Sequence, residues 1–136
     1  MSEENLQAVR SMFDALGTGD FLAPLKHLDP AIEMDTTRSP LEGLSGVTRG
    51  QEEVLGFWAE WLEAWGEQEL AEPELIDAGD RVVAWVETHR LQGRGSGVEV
   101  GLPPYGWVIT FRDGKAVSAT MYMDRAEVLE AAGLEA

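Results

Sequence analysis

The stretch "WVITFRDGKAVSATMYM", residues 107–123, constrains the fold more than any other. Two runs rich in β-branched and aromatic residues flank Asp113-Gly114, a pair suited to a two-residue type I′ turn. Such a hairpin fixes its register, and a fixed register fixes which side chains share a face. Upstream, "RVVAWVETHRL" (81–91) reads as a strong strand and "QGRGSG" (92–97) as a glycine-rich turn. "VEVGLPPYGWVITF" (98–111) reads as a strand bent or bulged around Gly101, Pro103 and Pro104. "EQELAEPELIDAGD" (67–80) is a weaker strand, which Pro73 places at an edge, and "AIEMDTT" (31–37) is a short one.

Helical spacing marks the rest. Leu6, Val9, Met12, Phe13 and Leu16 form one face over residues 3–16, stopped by Gly17 and Gly19. "DFLAPLKHL" (20–28) starts a short second helix at Asp20, broken by Asp29-Pro30. "RSPLEGLSG" (38–46) is an irregular loop. Thr48 and Gln51 read as a capping box for a helix over 49–65, whose Trp58, Trp61 and Trp65 share a face with Val54 and Leu62. Asp124 and Glu127 read as a second capping box, opening a helix ended by Gly133. The order α-α-β-α-β-β-β-β-α over 1–136 predicts one α+β domain, with helices on one face of an antiparallel sheet.

The chain has 136 residues, no cysteine, and 25 acidic against 10 basic residues, a net charge of −15. Disulfides, thiolate metal sites and cysteine catalysis are excluded. The negative surface argues against nucleic acid or an anionic membrane as partner. The acidic N-terminus lacks the apolar segment of a signal peptide, and no run is long enough to span a bilayer, so the expectation is a cytoplasmic protein. Two histidines among scattered acids make no metal-ligand spacing, and neither metal nor cofactor is expected.

The segments "MFDALGTGD" (12–20), "GVTRGQEEVLGFW" (46–58), "RGSGVEV" (94–100) and "WVITFRDGKAVSATMYMDRAEVLEAAG" (107–133), with this element order, resemble the SnoaL-like polyketide-cyclase group of the nuclear transport factor 2-like superfamily. The resemblance covers nearly the whole chain. It implies a curved antiparallel sheet wrapped around a long helix, a cone with an internal apolar pocket, and a homodimer formed through the outer sheet face. It also spans cyclases, isomerases, hydrolases, dehydratases and pure binding modules, so function must be argued from the site.

Alternation along the strands, combined with that architecture, nominates the pocket lining. With Trp85 inward, Val83, Trp85, Glu87, His89 and Leu91 share its face, leaving Val82, Ala84, Val86 and Thr88 outside. Tyr105, Trp107, Ile109 and Phe111 share a face, as do Val117, Ala119, Met121 and Met123. Trp58, Trp61, Trp85, Trp107, Ile109, Met121 and Met123 are therefore the candidate ligand-binding wall. An outer face of Val82, Ala84, Val86, Val108, Thr110, Thr120 and Tyr122 is too apolar for full solvation, which suits a dimer.

Four polar groups are the catalytic candidates: His89 as base, Glu87 orienting it, Tyr105 as hydrogen-bond donor, and Asp35 as the competing base. A carboxylate orienting an imidazole that titrates near neutrality is how a general base is built. Alternatively, Glu87 and His89 sit solvated at the pocket mouth. Asp35 falls where the resembled ketosteroid isomerases carry their proton-abstracting aspartate. Their two oxyanion donors, however, fall at Met12 and Trp107, which disfavours that reaction. The Asp-Arg-Asp site of the resembled epoxide hydrolases has no counterpart. "GRGSG" is a hairpin turn rather than a phosphate loop, and His27 is a surface or rim residue. The sequence thus supports a cofactor-independent acid–base enzyme for a hydrophobic small molecule or, alternatively, a non-catalytic binding or scaffold module.

Overall fold

The computed structural model describes residues 2–20, 22–39 and 46–134. Helix α1 (Ser2–Thr18) is followed by a single turn, α2 (Leu22–Leu25), then β1 (Leu28–Asp35) and β2 (Val47–Arg49). The long helix α3 (Gly50–Ala64) leads into β3 (Trp65–Leu70) and β4 (Glu74–Ala78). Strands β5 (Arg81–Val86), β6 (His89–Gly93), β7 (Glu99–Leu102), β8 (Tyr105–Arg112) and β9 (Lys115–Tyr122) follow, and α4 (Arg125–Ala131) ends the order. A six-stranded sheet runs β2-β1-β9-β8-β5-β4, and β3-β6-β7 form a second sheet. All pairs are antiparallel except β1 with β9, so the larger sheet is mixed. Among the described residues no helix is long and apolar enough to cross a membrane.

The hairpin that organises the sheet forms as the Asp-Gly pair requires. Arg112 faces Lys115, and Asp113 and Gly114 both adopt positive φ, 53° and 78°. One residue later the register slips: Phe111 faces Ala116 while Thr110 faces Ser118, so Val117 is the extra residue of a bulge.

The two long strands predicted upstream are each broken. Val86 pairs with Tyr105 and His89 with Leu102, leaving Glu87-Thr88 opposite Pro103-Pro104. Two consecutive prolines offer no N–H to the ladder, so pairing stops and the ribbon turns a corner into the second sheet. The segment around Pro73 breaks in the same way, giving β3 to one sheet and β4 to the other. Pro30 lies within β1, where its pairing with β9 is interrupted between Leu28 and Glu33. The broken ladder tolerates the missing N–H there, so Asp29-Pro30 does not end the preceding element as its sequence suggests.

The corner changes the faces. Val82, Ala84 and Val86 point inward, into a core built with Val9, Val54, Trp107 and Ile109. Val83, Trp85 and Val108 point to the other side, where Val128 of α4 and Ala132 just after it cover them. This reverses the assignment of Trp85 as an inward residue. Val82, Ala84 and Val86 leave the outer face on which a dimer was argued, and α4 covers part of what remains.

The capping box assigned to Thr48 and Gln51 does not form. Thr48 belongs to β2 and donates to the Met34 carbonyl at 3.4 Å, while the Gln51 amide donates to the Leu28 carbonyl at 2.9 Å. The backbone N–H of Arg49 is taken by Glu53 Oε1 at 3.1 Å. At α4, Asp124 does cap, accepting from the backbone N–H groups of Ala126 and Glu127. The loop predicted over 38–46 falls largely on residues 40–45, outside those described.

Gly106 lies where β8 passes beneath Trp85 and α4. A Cβ built there would stand 2.7 Å from Cε3 of the Trp85 ring and 3.2 Å from Val128. The ring is held by its indole N–H, which donates to Glu87 at 2.8 Å, and by Arg125 stacked 5.5 Å from its centroid. Gly106→Ala is therefore expected to destabilise the fold by about 1–3 kcal/mol. An unchanged urea midpoint would show that Trp85 yields freely.

Candidate active site

Two adjoining cavities lie between α3 and the inner face of the large sheet. The first, about 80 Å³, is lined only by apolar side chains among the described residues, including Met12, Phe13, Met34, Val54 and Ile109. The second, about 30 Å³, carries the polar groups His89, Tyr105, Thr36 and Ser39 on a wall otherwise made by residues such as Trp61, Met121 and Met123. Leu16, Trp58 and Trp107 border both chambers. The Trp58 and Trp107 rings lie 6.3 Å apart, and Trp58 meets Trp61 edge-on at 5.9 Å.

Helical spacing explains the tryptophan wall. Trp58 and Trp61 lie one turn apart on the face of α3 that carries Val54. Trp65 ends the helix and begins β3, and its buried indole nitrogen has no hydrogen-bond partner. Trp85 lines neither cavity, for the reason of strand parity given above.

On this wall His89 and Tyr105 belong to one chain of hydrogen bonds. His89 is 2% exposed. Its Nδ1 lies 2.7 Å from the Tyr105 hydroxyl, and its Nε2 lies 2.8 Å from Gln68 Oε1. The Trp61 indole N–H donates to the same Gln68 oxygen at 3.2 Å. Burial lowers the His89 pKa from 6.5 to about 4, so the ring is neutral at pH 7 rather than poised near neutrality. Burial also pushes the Tyr105 phenol well above its usual value, keeping it protonated.

Glu87 does not meet His89. It is exposed, on the far side of the corner, and accepts from Trp85. Gln68 of β3 is the side chain that meets His89 Nε2 instead. Strand pairing explains why it was missed: β3 pairs with β6, a partnership visible only once the long strand has broken into β5 and β6. The one available signal was a glutamine in an alternating segment, which is weak. His89 does reach the cavity, because the corner shifts its parity relative to Trp85.

Asp35 lines neither cavity among the described residues. It is in register with Thr120, on the face opposite Met34 and Ala119. Its carboxylate accepts from the backbone N–H and the hydroxyl of Thr37, which lowers its pKa, with Arg38 3.9 Å away. His27 is half-buried at the end of the α2 turn, far in sequence from the chain of hydrogen bonds. Among the described residues, no three histidine or carboxylate groups converge as metal ligands.

The SnoaL-like domain family matches residues 9–119. The chain belongs to the SnoaL-like family. Among solved structures, an NTF2-like protein of unknown function from Burkholderia pseudomallei is 30% identical, with 93% of this chain and 95% of that one covered, at a TM-score of 0.74. TerC, co-crystallised with polyporic acid, is 26% identical over 96% and 98% of the two chains, with a TM-score of 0.73. A putative SnoaL-like polyketide cyclase from Jannaschia, 18% identical over 96% and 92%, shares the fold at 0.74. No curated protein matches the sequence. In this SnoaL-like chain, then, one histidine–tyrosine pair lies, among the described residues, at the wall of a largely apolar, divided cavity.

Proposed function

We propose that this SnoaL-like protein is a cofactor-independent enzyme that moves a proton on a hydrophobic small molecule. The observation that carries the reading is the Tyr105–His89–Gln68 chain, buried at one end of a largely apolar cavity. Ligand rings would lie against Trp58, Trp107 and Ile109. An acidic hydroxyl would meet the Tyr105 oxygen. As that hydroxyl gives its proton to Tyr105, Tyr105 passes its own to His89 Nδ1, leaving a ligand oxyanion and an imidazolium. With a pKa near 4, charging His89 alone at pH 7 costs about 4 kcal/mol, so the step needs the oxyanion formed alongside it. Cyclisation, isomerisation or dehydration can follow from such an anion.

That the similar TerC structure holds polyporic acid supports a small-molecule occupant. One observation favours the second reading, a binding module: both ring nitrogens of His89 are already engaged, and the ring is a weak base. A thermal-shift screen of hydrophobic hydroxylated compounds, followed by product analysis of each hit, separates the two. The enzyme reading expects a stabilising hit to be converted, and loss of conversion in Tyr105→Phe. Stabilising hits that are never converted would establish the binding module instead.

A further inference from the structure

The direction of each hydrogen bond in the chain Trp61–Gln68–His89–Tyr105 follows from one atom. The Trp61 indole nitrogen can only donate, so the Gln68 atom that it meets must be the amide oxygen. His89 Nε2 approaches that same oxygen and must therefore carry the proton. A neutral imidazole has one N–H, so Nδ1 is bare and accepts. The group facing Nδ1 is the Tyr105 hydroxyl, which must donate to it. The Tyr105 hydrogen is thus committed to the protein, and the phenol presents lone pairs to the cavity.

We propose that the pocket selects its ligand by hydrogen-bond polarity, accepting a hydrogen bond from a neutral enol or phenol hydroxyl at Tyr105 and offering a ligand carbonyl no donor there. The proposal rests on the reading of the cavity as a small-molecule site. Two further features agree with it. Thr36, another hydroxyl on this wall, donates to the Gly46 carbonyl at 3.1 Å. The net charge of −15 and the absence of cationic side chains among the described lining residues disfavour an anionic ligand.

The test has two parts. Long-range proton–nitrogen correlation on histidine-labelled protein at pH 7 reads the tautomer of His89, with His27→Gln resolving the assignment. The expected result is Nε2–H with a bare Nδ1. NMR titrations then compare p-cresol, toluene and p-tolualdehyde. p-Cresol is expected to bind about 2–10-fold tighter than toluene, the worth of one net hydrogen bond, and p-tolualdehyde no tighter than toluene. Tyr105→Phe is expected to erase the cresol advantage while leaving toluene unchanged, and Ser39→Ala to keep it. Should Tyr105→Phe fail to fold, Trp61→Phe serves: with the amide no longer pinned, the cresol-to-aldehyde preference should shrink. An Nδ1–H tautomer, or a Tyr105-dependent preference for the aldehyde, overturns the polarity assignment while leaving the cavity as a ligand site. If none of the three probes shifts resonances of cavity residues at millimolar concentration, the small-molecule reading falls, and this proposal with it.

Discussion

Replacing His89 with alanine is expected to lower kcat by about 10²–10⁴ on any substrate that the protein converts, the usual worth of a positioned proton acceptor. KM should change less, because the apolar cavity supplies most of the binding and His89 stands behind Tyr105. The loss should exceed that of Gln68→Leu, since Gln68 bonds to the imidazole and to Trp61 and would hold the ring without taking the proton itself. Asp35→Asn and Glu87→Gln should be nearly silent, because neither carboxylate lines the cavity. The pH profile sharpens the assignment. With His89 near pKa 4, kcat should be flat above about pH 5 and fall only as the ring protonates. Steady-state kinetics on the four variants checks this. A severe Asp35→Asn defect with a mild His89→Ala defect would move the base to the outer face and break the assignment.

The same buried imidazole should make the fold acid-sensitive. In the unfolded chain His89 titrates near 6.5, and in the folded protein near 4. Between those values the unfolded state binds more protons, so stability rises with pH across that window. The penalty is absent above about pH 7, grows as pH falls through 6.5, and is complete below about pH 4. Its full size is about 3 kcal/mol. Carboxylates of the unfolded chain also begin to take up protons toward pH 4, so the informative quantity is a difference. The stability gap between the wild type and His89→Gln, from urea unfolding at pH 7 and at pH 4, should shift by about 3 kcal/mol against the wild type at the lower pH. Parallel stability curves would mean that His89 is not desolvated in solution.

How far the sequence revealed this arrangement can be judged strand by strand. The hairpin at Asp113-Gly114 carried its own register, so the faces of Tyr105, Trp107 and Ile109, and of Met121 and Met123, followed by alternation alone. Helical spacing likewise put Trp58 and Trp61 on one face. The failures share one cause. Alternation was extended through Glu87-Thr88 and started from the premise that the large Trp85 must point to the cavity. In fact α4 folds back over that side of the sheet and gives Trp85 a buried place outside the cavity. Pro103-Pro104 announced a bend in their own strand, but its consequence for the facing strand depends on pairing across the ladder. Gln68 was hidden for the same reason, since its place beside His89 depends on contact between β3 and β6. Asp35 fell to parity too: its position in the parallel pair with β9 turns it away from Met34.

The most direct test is a crystal structure of the protein with the compound that stabilises it most in the thermal-shift screen. The ligand's rings should lie against Trp58 and Trp107, spanning the two chambers, with a hydroxyl oxygen within about 2.5–3.0 Å of the Tyr105 oxygen and His89 still bridged to Gln68. A ligand bound elsewhere, or one seated in the cavity with its polar groups turned away from Tyr105, would contradict the assignment of this wall as the working site.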